Sequence, residues 1–301
     1  MRAPMIRYLQ VGRCAYCIVV TSVVYIVYNR QYLIHVLNCT YYAGIFTKRF
    51  EDAREQLGKY CEKLTDGSLV TIPSNLTKKQ IDLAADIVRT CEVGTAVLVF
   101  VTGLAEINLL EQKLKFNWQT VKCVPIHSQL SEDDEVSNLN SLYPEHITVY
   151  IATNAAESSI TLPTVNVVID LGTFNEEQND SAEFARTTLK MSWVSKPSAK
   201  QRAGRTGRVR NGTVYRLYTR EMHDSALFAD RNEPSIRCKP LHDVVVRVLG
   251  CLGGYFTYPS IVALLEDLIE APRMDRLQKS LDYLLNGRIV RNSIIGVSSL
   301  Y

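Results

Sequence analysis

The 301 residues are 47% hydrophobic and 22% charged, with a formal net charge of +3. That composition supports one large domain or two ordinary ones and excludes a wholly disordered, collagen-like or disulfide-scaffold chain. The eight cysteines are irregularly spaced and read as reduced thiols, which fits a cytoplasmic or nuclear protein.

The near-neutral balance conceals two local imbalances. Residues 1–50 hold six basic residues and no acid, so residues 51–301 carry all 31 acids against 28 basic residues, a net of −3. The window from Phe184 to Arg220 holds ten Lys or Arg and no acid. The first imbalance concerns a sheet or a membrane, the second a phosphate-rich ligand.

Segment 1–50 is apolar, basic and unassigned. Its uncharged run Cys14–Asn29 is compatible with a buried strand, a targeting or membrane segment, or a poorly folded stretch. Sixteen residues are short for a spanning helix, and the Val, Ile, Thr and Tyr content favours strands. Cys14 and Cys17 form a lone CxxC, read as buried thiols rather than a zinc site.

Residues 51–94 read as a helical lead-in: Phe50–Leu64 is helix-compatible, TDGS (65–68) interrupts, and Leu76–Thr90 is amphipathic with a cap at Asn75 or Thr77. AVLVFV (96–101) is a continuous apolar run, expected as a strand buried on both faces, and a helix follows to about Phe116. VKCVPI (121–126), ITVYIA (147–152) and VNVVID (165–170) repeat that pattern, and TVYRLYT (213–219) adds a strand. SEDDEVS (131–137) reads as a solvated helix face. Strands alternating with helices imply an α/β domain with a parallel sheet over 95–236. Residues 237–301 carry three helical patterns, the material of a small second domain.

The chemistry concentrates in KQRAGRTGRVRNG (200–212). Arg202, Arg205 and Arg208 stand three apart with Gly204 and Gly207 between them, a spacing that predicts three guanidinium groups along one helix face. Arginine's planar fork suits phosphate oxygens and stays charged at any working pH.

This string resembles motif VI of the superfamily 2 helicases. ATNAAESSIT (152–161) resembles motif V of the DEAH-box and RNA helicase A-like group, usually ATNIAETSIT, with Ala155 for Ile and Ser158 for Thr. VIDLG (168–172), LVFVTGLAEI (98–107) and PIHSQLS (125–131) are similar to further segments of that group, in the same order. The resemblance covers about 95–220. It implies the second RecA-like (P-loop NTPase-type) domain of an ATP-driven RNA helicase, then a small, truncated, helical winged-helix-like domain over 237–301. RCKPLHDVVVRVLGCLG and 270–290 carry the latter likeness, and some sequences of the tudor-containing small-RNA subgroup look comparable there.

By position, the resemblance makes Gln201 a γ-phosphate or water-positioning residue, and Arg205 and Arg208 arginine fingers. Arg202 supports the helix or an acidic neighbour. Ser159, Asp170 and Gly204 fall on the nucleotide side, with Asp170 also placed to orient the arginines. Thr102, Gly103, Ser128, Thr153 and Asn154 fall on the RNA side, and Glu157 and Thr161 support the motif V turn. The adenine-stacking aromatic of the family finds only Tyr143 nearby.

The implied cofactor is ATP with Mg2+, the implied partners RNA and a first RecA-like domain carrying the magnesium ligands. No G-x-x-x-x-G-K-[ST] and no D-E-x-H occurs in the chain. The expectation is a helicase fragment inactive in isolation, the alternative a non-catalytic RNA-binding or adaptor module. A membrane-tethered protein is not favoured.

Overall fold

The computed structural model describes residues 5–9, 16–20, 23–28, 32–36, 55, 72, 74–115, 120–129, 143–157, 162, 165–179, 187–207, 212–232, 234–238, 241–251 and 258–289. The chain divides into two compact units, Met1–Asn175 with Met191–Arg231, and Glu176–Lys190 with Asn232–Tyr301.

In the first unit, β1 (Met5–Leu9), β5 (Ala96–Phe100), β6 (Val121–Ile126), β7 (Ile147–Ala152), β8 (Val167–Asp170) and β11 (Thr213–Thr219) form one parallel sheet in the order β1-β11-β8-β5-β7-β6. The central strands β5 and β7 are buried along their whole length, as their unbroken apolar runs require. Side-chain alternation sends Val97, Val99 and Val101 of the β5 segment to one face. That face is packed by α1 (Ser74–Arg89) and α2 (Leu104–Lys115) through Ile81, Val88, Leu110 and Leu114. Ala96, Leu98 and Phe100 face the other side, with Val124, Tyr150, Val168 and Ala203. Lys113–Asp82 and Arg89–Asp86 ion pairs flank the α1–α2 contact.

Three expectations change. The helix assigned to the lead-in is part of this core, so the α/β domain begins before residue 95. That helix starts at Ser74, which leaves Asn75 and Thr77 inside its first turn rather than at its cap. β6 is only partly buried, because among the described residues it is an edge strand bonded to β7 alone; the edge position also tolerates Pro125.

The uncharged N-terminal run contains β2 (Tyr16–Val20) and β3 (Val23–Tyr28), antiparallel to each other and followed by β4 (Tyr32–Val36). Among the described residues no helix is long and apolar enough to cross a membrane. A two-stranded ribbon, β9 (Thr173–Asn179) and β10 (Thr187–Trp193), follows β8. Then come α3 (Lys196–Ala203) and, after β11, the short α4 (Arg220–Asp224). The helical segments expected at 50–64 and 131–142 lie outside the described residues, Glu55 apart.

The second unit contains α5 (Ser235–Cys238), α6 (His242–Cys251), α7 (Tyr258–Glu266) and α8 (Met274–Asn286). Leu241, Val245, Ile261, Leu265, Leu277, Leu281 and Leu284 form its core. The Leu241 N–H donates to buried Ser280 Oγ at 2.9 Å, and Arg237 pairs with Glu270 at 3.0 Å.

Candidate nucleotide and RNA site

In a parallel sheet the strand ends that face the same way bring distant loops together, and ligands bind beyond the carboxyl ends. Here that edge gathers Thr102 and Gly103 after β5, Ser128 after β6, Thr153 and Asn154 after β7, and Asp170 at the end of β8. Ser128 and Asn154 are exposed; Thr153 is half-buried. The Thr153 N–H donates to Ile126 O at 3.1 Å, tying the β7 loop to the end of β6. A 3-10 turn, Asn154–Glu157, follows immediately.

Thr102 is buried, with its hydroxyl 2.7 Å from that of Thr173 on β9. Gly103 is buried against the Asn175 side-chain amide, 2.6 Å from where a Cβ would stand. The Thr102 hydroxyl thus faces Thr173, within the domain.

α3 begins cleanly because Ser195 Oγ accepts from the Ser198 N–H at 3.1 Å and Pro197 fills the first turn. It then runs back along β8. Near its start Val194 N donates to Gly172 O at 2.9 Å, and beyond its end Thr206 Oγ1 donates to Val165 O at 2.8 Å.

The helix stops at Ala203, and Gly204 caps it by donating its N–H to Lys200 O at 3.0 Å. Gly207, with φ +78°, carries the following turn into the left-handed region. The expected single face of three arginines is therefore corrected: Arg202 alone lies on the helix, Arg205 lies in the turn, and Arg208 lies outside the described residues. Gly204 is exposed, but its amide is already bonded within the cap and is no free phosphate donor.

Arg202 is fully buried. Its Nη1 donates to Asp170 Oδ1 at 2.8 Å and to Thr173 O at 3.3 Å, and its Nε donates to Glu157 Oε2 at 3.3 Å. The guanidinium carbon lies 4.9 Å from the centre of the Phe100 ring. Burial alone would favour the neutral form, but the carboxylates of Asp170 and then Glu157 outweigh it and hold Arg202 above its ordinary pKa.

Asp170 also accepts from Gly172 N at 2.9 Å and from the Tyr218 hydroxyl at 3.1 Å. The buried carboxylate of Asp170 is thus engaged by Arg202, Tyr218 and Gly172. Gly172 has φ +79°, and any Cβ there would collide with the Tyr218 ring.

Arg205, partly exposed, donates from Nη2 to the backbone carbonyl of Glu157. Gln201 is exposed on α3 one residue before Arg202. Glu157 thereby meets both arginines, one through its carboxylate and one through its carbonyl. Ser159 and Thr161 lie outside the described residues. Tyr143 sits at the opposite, amino-terminal edge of the sheet, its N–H on Thr148 Oγ1 and its ring 5.3 Å from Lys122 Nζ. It is therefore no candidate for stacking a base at the carboxyl edge.

Sequence reasoning missed Thr173, Arg216 and Tyr218. The one available signal was a charged residue in the middle of the strand TVYRLYT.

Residues 79–210 match the family described as Helicase conserved C-terminal domain. The human protein named ATP-dependent RNA helicase DHX29 is 37% identical over 164 residues, 53% of this chain and 12% of that protein. The Arabidopsis thaliana protein named DExH-box ATP-dependent RNA helicase DExH1 is 34% identical over 173 residues, 54% of this chain and 17% of that protein. The crystal structure of the E. coli DExH-box NTPase HrpB superposes with a TM-score of 0.58 at 22% identity, covering 74% of this chain and 26% of that one, a likeness of fold. The chain thus spans about an eighth to a quarter of the length of these proteins. Residues 79–210 form a helicase C-terminal domain of the kind found in DEAH/RHA-family RNA helicases.

Proposed function

We propose that this domain is the arginine-bearing, second RecA-like half of an ATP-driven RNA helicase motor whose P-loop half lies outside these 301 residues. The observation that carries the reading is the joining of two segments at Glu157. Arg202 holds its carboxylate and Arg205 its carbonyl, so the turn after β7 and the turn after α3 are fixed to one another.

Gln201 would position the γ-phosphate or the attacking water, and Arg205, with Arg208, would stabilise charge on the transferring phosphoryl oxygens. In comparable NTPases one such arginine contributes about 10³–10⁵ in rate. Ser159 would couple nucleotide to RNA. Gly103, Ser128, Thr153 and Asn154 would bind RNA along its backbone, which fixes register without reading sequence.

The donor set fits a triphosphate but not its metal. The carboxylates of Glu157 and Asp170 are engaged by Arg202, and among the described residues no group of three His, Cys, Asp or Glu could hold a cation. ATP with Mg2+ supplies the phosphoanhydride, with the magnesium ligands contributed by the P-loop half.

RNA binding is tested by fluorescence anisotropy with a single-stranded oligonucleotide over a salt series. The expected result is an affinity that falls steeply with salt and drops further in Lys200→Glu, an exposed position beside Gln201. Affinity indifferent to both would overturn the RNA assignment. Arg202, although basic, is withdrawn from solvent and is no phosphate contact.

A second reading, a non-catalytic RNA-binding module, is favoured by the absence of any P-loop string from the sequence. It keeps the RNA contacts and removes the finger role of Arg205.

A further inference from the structure

We infer that Arg216 and Tyr218, on β11, are positioning residues for the phosphate-facing segment of α3, one acting on the helix backbone and the other through Asp170. The inference rests on the reading of Gln201 and Arg205 as the nucleotide side of the domain.

A guanidinium in the middle of a buried strand is costly unless its surroundings hold it, so what it touches explains its place. Arg216 is 4% exposed, and its Nη2 donates to Ala199 O on α3 at 3.3 Å. The two side chains meet: the Arg216 guanidinium carbon lies 5.9 Å from the Tyr218 ring centre. Tyr218 is fully buried, and its hydroxyl donates to Asp170 Oδ2. The other oxygen, Oδ1, accepts from Arg202 and Gly172, so the Tyr218 hydroxyl is what stops this carboxylate from rotating.

The Tyr218 ring cannot turn away. Phe228 packs 4.7 Å from it and His223 stacks at 6.4 Å with an interplanar angle of 13°. Gln80, fully buried on α1, donates from Nε2 to Leu217 O at 2.7 Å and to Leu171 O at 3.1 Å. It thereby fixes β11 between the two residues in question to the residue after Asp170.

β11 therefore grips α3 at Ala199 directly and at Arg202 through Asp170, two points three residues apart that together fix the rotation of the helix. Gln201 lies between them. A rotation of about 20° would move a side-chain tip about 7 Å from the helix axis by about 2.5 Å. A misplacement of about 1 Å at a reacting centre can cost about a hundredfold in rate.

The test is isothermal titration of the full chain with inorganic tripolyphosphate, well below the melting temperature. Arg205→Ala should weaken binding about tenfold or more, and Tyr218→Phe, which removes one oxygen and keeps the ring, about fivefold. Arg216→Ala should match or exceed Tyr218→Phe. Leu110→Ala, a core change on the α2 side of the sheet, should destabilise the fold yet leave the affinity unchanged.

If Arg205→Ala weakens binding while Tyr218→Phe and Arg216→Ala bind like the unaltered chain, the positioning role is overturned and the function of the site stands. Equal weakening by Tyr218→Phe and Leu110→Ala reduces the role to stability and also overturns it. If the unaltered chain does not bind tripolyphosphate, or Arg205→Ala binds it unchanged, the reading of the site fails and the positioning role with it. Should Arg216→Ala not fold, the single-oxygen change at Tyr218 decides alone.

Discussion

Replacing Arg202 by methionine removes one charge and little volume from the best-defined part of the site. The two carboxylates that pair with it, Asp170 at 2.8 Å and Glu157 at 3.3 Å, then stay behind in a place where their partner is wholly shielded from water. Removing one member of a buried pair costs about 3–5 kcal/mol, most of it the penalty of the charges left unpaired. The lost contact with Phe100 adds about 1 kcal/mol. The assay is urea unfolding followed by tryptophan fluorescence, to which Trp193 contributes from the same core, packed 5.6 Å from Phe228. With a slope of about 2–3 kcal/mol per molar, the midpoint should fall by about 2 M. Changing Asp170 to Asn and Glu157 to Gln as well should recover most of the loss, since a neutral cluster has no desolvated charge to compensate. A midpoint shift below about 0.4 M in Arg202→Met, or no recovery in the triple variant, would refute the electrostatic reasoning.

Gly172→Ala should destabilise by about 3 kcal/mol in the same assay, combining left-handed backbone strain with collision against the Tyr218 ring. Ser195→Ala should cost about 1 kcal/mol through loss of the α3 cap, read as a lower urea midpoint. Burial pushes the Cys91 thiol up to about 12, with Glu92 adding to it, and burial does the same for Cys123, with Glu111 adding. At pH 8 both should alkylate with iodoacetamide about a thousandfold more slowly than an ordinary thiol, measured by mass spectrometry. Because these folded-state values lie above the unfolded value near 9, the associated stability is complete below about pH 9 and is lost as the pH rises towards 12.

The sheet was legible where burial is continuous. AVLVFV and ITVYIA form central strands walled on both faces, so their composition alone identifies them. VKCVPI has a similar composition, yet sits at an edge, which a run of apolar letters does not encode. The β9–β10 ribbon was invisible because TFNEEQN is polar and lacks the alternation of a half-buried strand.

In the candidate site, residue types and order pointed to phosphate chemistry, but the spacing of Arg202, Arg205 and Arg208 misled. Three-residue intervals mark one helix face only while the helix lasts, and this one ends at Ala203. The division of labour between Arg202, buried in a carboxylate cluster, and Arg205, left partly exposed, comes from residues 32 and 45 positions away in the chain. No local pattern carries that information. Tyr218 and Arg216 were missed for the same reason.

The most direct test joins this chain to a P-loop-bearing RecA-like domain and measures ATP hydrolysis with magnesium and RNA. The expected result is RNA-stimulated hydrolysis by the joined protein, falling about a thousandfold or more in Arg205→Ala, with no appreciable hydrolysis by the 301-residue chain alone. Hydrolysis by the joined protein that is undiminished by Arg205→Ala would contradict the assignment of this domain as the arginine side of the ATP site.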